Sequence, residues 1–64
     1  MKNPKFAIAP KGQYNSVVPG VKYKIINYSR LDGCFEIQKP HGKGFYFCLV
    51  NECAHLNGQN WILC

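Results

Sequence analysis

Phe35-Glu-Ile-Gln-Lys-Pro-His-Gly-Lys-Gly-Phe-Tyr-Phe-Cys-Leu-Val50 is the stretch that decides the fold. At its start Phe35 and Ile37 alternate with Glu36 and Gln38. At its end Phe45, Phe47 and Leu49 alternate with Tyr46, Cys48 and Val50. A period of two places successive side chains on opposite faces of an extended chain, whereas a helix repeats its apolar positions every three or four residues. Between the runs lies Pro40-His-Gly-Lys-Gly44, where proline has no amide proton for a ladder and two glycines accept positive φ. The segment therefore reads as two antiparallel strands and a turn, with His41 solvated in that turn. Both faces of the Phe45–Val50 run are apolar, so this strand is expected to be central and the most buried.

Working outward, Val21, Tyr23 and Ile25 alternate with Lys22 and Lys24 after the turn signal Pro19-Gly20. This predicts a half-buried strand with one apolar and one basic face. Asn27 to Gly33, with Ser29, Asp32 and Gly33, reads as the turn that follows it. Phe6-Ala-Ile-Ala9 is a short first strand closed by Pro10, and Lys11 to Pro19 is a loop. On the other side, Asn51 is expected to cap a helical turn over Glu52 to Leu56, ended by Asn57-Gly58. Trp61-Ile-Leu-Cys64 is the fifth strand. The expected inner face is Phe6, Ile8, Val18, Val21, Tyr23, Ile25, Phe35, Ile37, Phe45, Phe47, Leu49, Leu56, Trp61 and Leu63. Trp61 carries an indole N–H that needs a partner when buried, which predicts partial exposure.

The chain has 64 residues, 47% of them apolar and 17% charged, with no internal repeat, so residues 1–64 are read as a single domain. The longest apolar run, Phe45 to Val50, is far short of the roughly 20 residues that cross a bilayer as a helix. The opening residues carry lysines but lack the apolar stretch of an export signal. The expectation is a cytoplasmic protein without a membrane partner, its four cysteines held as thiols by a reducing compartment.

The order of strand, long loop, three closely joined strands, helical turn and final strand resembles the SH3-like small barrel. That resemblance implies an all-β, five-stranded SH3-like barrel with one short helical turn before the last strand. Signalling SH3 domains carry an acidic long loop, whereas Lys11-Gly-Gln-Tyr14-Asn-Ser has no acid, so a polyproline groove is not expected. Gly20-Val-Lys-Tyr-Lys-Ile-Ile26, a glycine turn feeding a basic alternating strand, looks more like the barrels of ribosomal and transcription proteins. The string Cys48-Leu-Val-Asn-Glu-Cys53-Ala-His55-Leu-Asn-Gly-Gln-Asn-Trp61 is similar to short uncharacterised proteins of bacteriophages and prophages.

Three constellations carry chemistry. Cys34, Cys48, Cys53 and His55 are zinc-ligating types, but no pair has the two-to-four-residue knuckle spacing at both ends of a structural site. Cys53 and His55 on one helical turn would point about 200° apart. The reading is therefore no metal and no cofactor, with Cys34, Cys48 and Cys64 as small packing residues. A Cys48–Cys64 disulfide belongs only to an oxidising setting. The same divergence removes a Cys–His nucleophile pair, and so small a chain has little volume for a water-excluding pocket, so no catalytic residue is assigned.

The third constellation is basic and aromatic. The formal net charge is +5. Lys22 and Lys24 share one strand face, Lys39 and Lys43 flank the hairpin turn, and Arg30 lies in the loop between. Tyr14, Tyr28 and Tyr46 are the aromatics expected outside. Cations beside flat rings are what single-stranded nucleic-acid platforms use. The loops nevertheless hold more neutral polar and aromatic groups than phosphate-gripping cations. The expected function is thus a non-enzymatic binding module, of the phage type, that binds or modulates a partner protein; a basic nucleic-acid-binding β-protein is the alternative.

Overall fold

The computed structural model describes residues 3–40 and 42–64, so His41 and its expected place in the turn lie outside the described residues. The strands are β1 (Phe6–Ile8), β2 (Lys22–Ser29), β3 (Cys34–Gln38), β4 (Phe45–Leu49) and β5 (Ile62–Leu63). A single 3-10 turn, Ala54–Leu56, precedes β5. All pairings are antiparallel and the strand order is β4-β3-β2-β1-β5. The chain is thus all-β with a lone helical turn, as the alternation implies. Among the described residues no helix is long and apolar enough to cross a membrane.

Two expectations about the sheet are corrected. It is not closed into a barrel: β4 and β5 stand at its two ends. Near that gap the Trp61 amide donates to the Val50 carbonyl at 2.9 Å, a contact outside any strand ladder. The second correction is that β4 is an edge strand, not the central one. The centre belongs to β2, which runs through Ser29 and absorbs part of the segment expected as a turn. Its first half pairs with β1 and its second half with β3. Between them the register shifts at Ile25/Asn27, leaving Ile26 as the extra residue. A bulge bends and twists its strand, so one strand serves both halves of the sheet.

The core is built from Ala7, Ala9, Val17, Ile25, Phe35, Ile37, Cys48, Cys53, Leu56 and Trp61. Trp61 is its centrepiece, edge-on to Phe35 at 5.5 Å and to Tyr23 at 6.4 Å between ring centroids. It is buried, not partly exposed, and its Nε1 has no hydrogen-bond partner among the described residues. The packing of the large ring outweighs the loss of one N–H bond.

Several residues expected inside lie outside. Phe6, Val18, Val21, Phe45, Phe47 and Leu49 are all exposed. In β1 the alternation holds but the faces are swapped: Ala7 and Ala9 are buried, and Phe6 lies outside. The same swap occurs in β4. Phe35, Trp61 and Leu56 are already buried on the core side, together with the small Cys48. Forcing phenylalanine there would overpack a filled interior.

Candidate functional site

The outward face of β4 is the largest departure from a polar surface. Phe45, Phe47 and Leu49 retain 56%, 62% and 44% of their accessible surface. They alternate along one strand and therefore form one row, opposite Gln38, Glu36 and Cys34 of β3. Ile26 adds an exposed aliphatic side chain from the β2 bulge. Among the described residues β4 pairs only with β3, and its other edge carries no strand. An apolar row on an unpaired edge is a feature that proteins normally suppress.

The basic residues fall into two groups. Lys22, Lys24 and Lys39 line one shallow groove together with Tyr23, Ile26, Gln38 and Pro40. Ile26 and Gln38 connect that groove to the apolar row, since Gln38 is the register partner of Phe45. Lys43 is exposed in the β3–β4 connection, and Arg30 is exposed beyond the end of β2 and outside the groove. Lys39 also lies over the Tyr46 ring, with Nζ 5.5 Å from the centroid, and Lys22 over Phe6 at 5.7 Å. Glu36 sits within the apolar row, opposite Phe47, and accepts a hydrogen bond from Asn27 Nδ2 at 3.1 Å.

The three tyrosines expected as an external stacking set do not form one. Tyr14, Tyr28 and Tyr46 are partly buried and packed against the core. Tyr14 Oη donates to the Pro10 carbonyl at 2.8 Å and accepts from Gln59 Nε2 at 3.1 Å, which ties the long loop to the segment before β5. Among the described residues the exposed rings are instead Phe6, Phe45 and Phe47, all read from sequence as core. The exposure of Phe45 and Phe47 has no signal in the alternation, because both faces of β4 are apolar.

The sulfur and nitrogen donors give a second site, and here the geometry overturns the expected divergence. Cys53 is not in the helical turn. It has extended backbone at φ −75°, ψ 131°, immediately before Ala54, and Asn51 makes no cap. The turn covers only three residues and brings His55 back over its own entrance. Cys53 Sγ lies 3.6 Å from His55 Nδ1, and Cys48 Sγ, reaching in from β4, lies 3.9 Å from the same nitrogen. The three donor atoms are all within 4.8 Å of one another. Tyr46 covers His55, with ring centroids 4.9 Å apart.

Cys48 and Cys53 are buried, and His55 is half-buried. Burial above all, and then the charge and hydrogen bonding of the adjacent Cys53, push the Cys48 thiol up from the ordinary 9.0 to about 12. Cys48 is thus a neutral thiol, not a poised nucleophile. Cys34 is buried on β3 and does not join the cluster, and Cys64 is exposed rather than a packing residue. All four cysteines are unpaired. Compared with known proteins, the chain matches no family model, no curated protein and no solved structure, so the reading of its role rests on these two sites.

Proposed function

We propose that this chain is a non-enzymatic binding module whose outward β4 face and free β4 edge receive a partner protein. The observation that carries the reading is the exposed row Phe45, Phe47 and Leu49 on a strand with no further strand paired to it among the described residues. An extended segment can add to such an edge, its main chain completing the ladder while alternate apolar side chains cover the row. The net charge of +5 disfavours a second copy of the chain as the occupant. Lys22, Lys24 and Lys39, in the groove next to the row, complement a partner segment that carries acidic groups beside its apolar ones.

A nucleic-acid strand is less well served. Two phenylalanines can stack on bases, but Leu49 and Ile26 cannot, and the Glu36 carboxylate within the row repels phosphate. The order of the elements, with β2 shared between two halves of the sheet, supports an SH3-like arrangement. The likeness of the Cys48–Trp61 string to short bacteriophage and prophage proteins favours a phage-type protein acting on a host protein in the cytoplasm.

The test is affinity capture with the full chain on nuclease-treated lysate, in parallel with Phe47→Ser and with Lys22→Glu/Lys24→Glu. The expected result is a stoichiometric protein partner that withstands moderate salt and is lost from Phe47→Ser. Recovery of nucleic acid alone without nuclease, lost from the lysine variant and falling steeply with salt, overturns the reading.

A further inference from the structure

Cys48, Cys53 and His55 come from two separate elements, β4 and the 3-10 turn with its entrance, yet their donor atoms converge on one point. Zinc is bound at about 2.3 Å by sulfur and about 2.0–2.1 Å by imidazole nitrogen in tetrahedral geometry. Those bond lengths place a sulfur and a nitrogen on one tetrahedron about 3.6 Å apart. The observed sulfur–nitrogen separations, 3.6 Å for Cys53 and 3.9 Å for Cys48, are close to that edge length, and with all three donors within 4.8 Å of one another the two sulfurs close by about 1 Å or less to reach the sulfur–sulfur edge of about 3.8 Å. A thiol–imidazole hydrogen bond accounts for one sulfur facing His55 Nδ1, which has a single lone pair or a single N–H to offer, but not for a second sulfur directed at the same atom. A disulfide between the two cysteines does not account for it either, since it needs no third donor.

From this convergence of three donors we infer that the chain binds a soft divalent metal ion of the zinc class at Cys48 Sγ, Cys53 Sγ and His55 Nδ1. The ion sits between β4 and the 3-10 turn, with its fourth position taken by water or an external donor on the side of the half-buried imidazole. Binding replaces two thiol protons, which leave to solvent, so two thiolates face a doubly charged cation. The ion staples β4 to the segment leading into β5, across the side of the sheet that strand pairing leaves open. Domains of this size gain much of their stability from such staples. The inference uses none of the residues of the β4 outer face and stands apart from the binding function proposed above.

The experiment uses the purified, reduced, metal-free full chain titrated with Co²⁺, followed by thiolate-to-cobalt charge-transfer and visible absorption, with Zn²⁺ as competitor. The expected result is saturation at one equivalent, displacement by Zn²⁺, and a higher unfolding midpoint with metal. Cys53→Ser and His55→Gln each weaken binding by about a hundredfold or more, a ligand being worth at least as much as the groups that orient it. Cys34→Ser and Cys64→Ser leave it unchanged. His55→Gln changes a half-buried residue and keeps the test readable if Cys53→Ser does not fold. Absence of saturable binding at one equivalent overturns the inference, as does binding that survives both ligand substitutions. A native Cys48–Cys53 disulfide that persists under reductant overturns it too.

Discussion

Replacing Phe47 by threonine and Phe35 by alanine separates two phenylalanines that look alike in sequence. Phe35 is 1% exposed and edge-on to Trp61, while Phe47, on the neighbouring strand, is 62% exposed. Burying a whole phenylalanine side chain is worth about 1.5–3 kcal/mol. Phe47 has a little over a third of its surface covered, so truncation removes about 1 kcal/mol or less, and threonine keeps the strand preference of the position. Phe35→Ala loses the transfer energy and leaves a cavity against Trp61, at a cost of about 3–5 kcal/mol. A chain of 64 residues at roughly 0.05–0.15 kcal/mol per residue has about 3–10 kcal/mol in total. Phe35→Ala is therefore expected to be largely unfolded or close to it. The assay is urea denaturation followed by far-ultraviolet circular dichroism and by the fluorescence of Trp61, the only tryptophan. With a slope of about 1 kcal/mol per molar urea, Phe47→Thr moves the midpoint by at most about 1 M. A Phe47→Thr loss as large as that of Phe35→Ala refutes the assignment of β4's faces, and with it the docking row.

Thiol labelling of the folded, reduced, metal-free chain is expected to modify Cys64 quickly and Cys34, Cys48 and Cys53 only on unfolding, because the last three are buried; mass spectrometry of partly labelled protein checks the order. Gly12→Ala is expected to cost about 1–2 kcal/mol, because its new Cβ would lie 2.7 Å from Tyr14 Oη and displace a ring held by Pro10 and Gln59; thermal unfolding measures it. Glu52 has a left-handed backbone at φ 54°, so Glu52→Asn, a residue that tolerates this region, is expected to raise stability by several tenths of a kcal/mol. Trp61 emission is expected to be blue-shifted and protected from acrylamide, since the ring is buried; a solvent-like maximum in the folded protein contradicts the core described here.

The strands themselves were legible. Alternation at Phe35–Gln38, Phe45–Val50 and Val21–Ile25 falls within β3, β4 and β2 to within a few residues. The turn before the last strand was also visible, though shorter than the expected Glu52–Leu56. The part of β2 beyond Asn27 was hidden because Asn27, Tyr28 and Ser29 look like turn residues, yet they pair with Glu36, Phe35 and Cys34. The candidate metal-binding cluster was legible in residue type but not in geometry. Its apparent divergence assumed Cys53 inside a helix, and a 3-10 turn that begins only at Ala54 removes that premise.

By itself, then, the sequence determines an all-β chain of five short strands, a lone helical turn and a basic surface, because period-two alternation and turn residues act locally. The tertiary structure decides which face of an amphiphilically ambiguous strand turns inward. In β4 Tyr46 and Cys48 turn toward a core already occupied by Phe35, Trp61 and Leu56 while Phe45, Phe47 and Leu49 stay exposed, and no property of β4 alone contains that choice. It also decides that Cys48 meets Cys53 and His55. Their meeting follows from how the segment after β4 returns beneath the sheet, where the Cys53 amide donates to the Gln59 carbonyl at 3.0 Å and closes the turn over the strand.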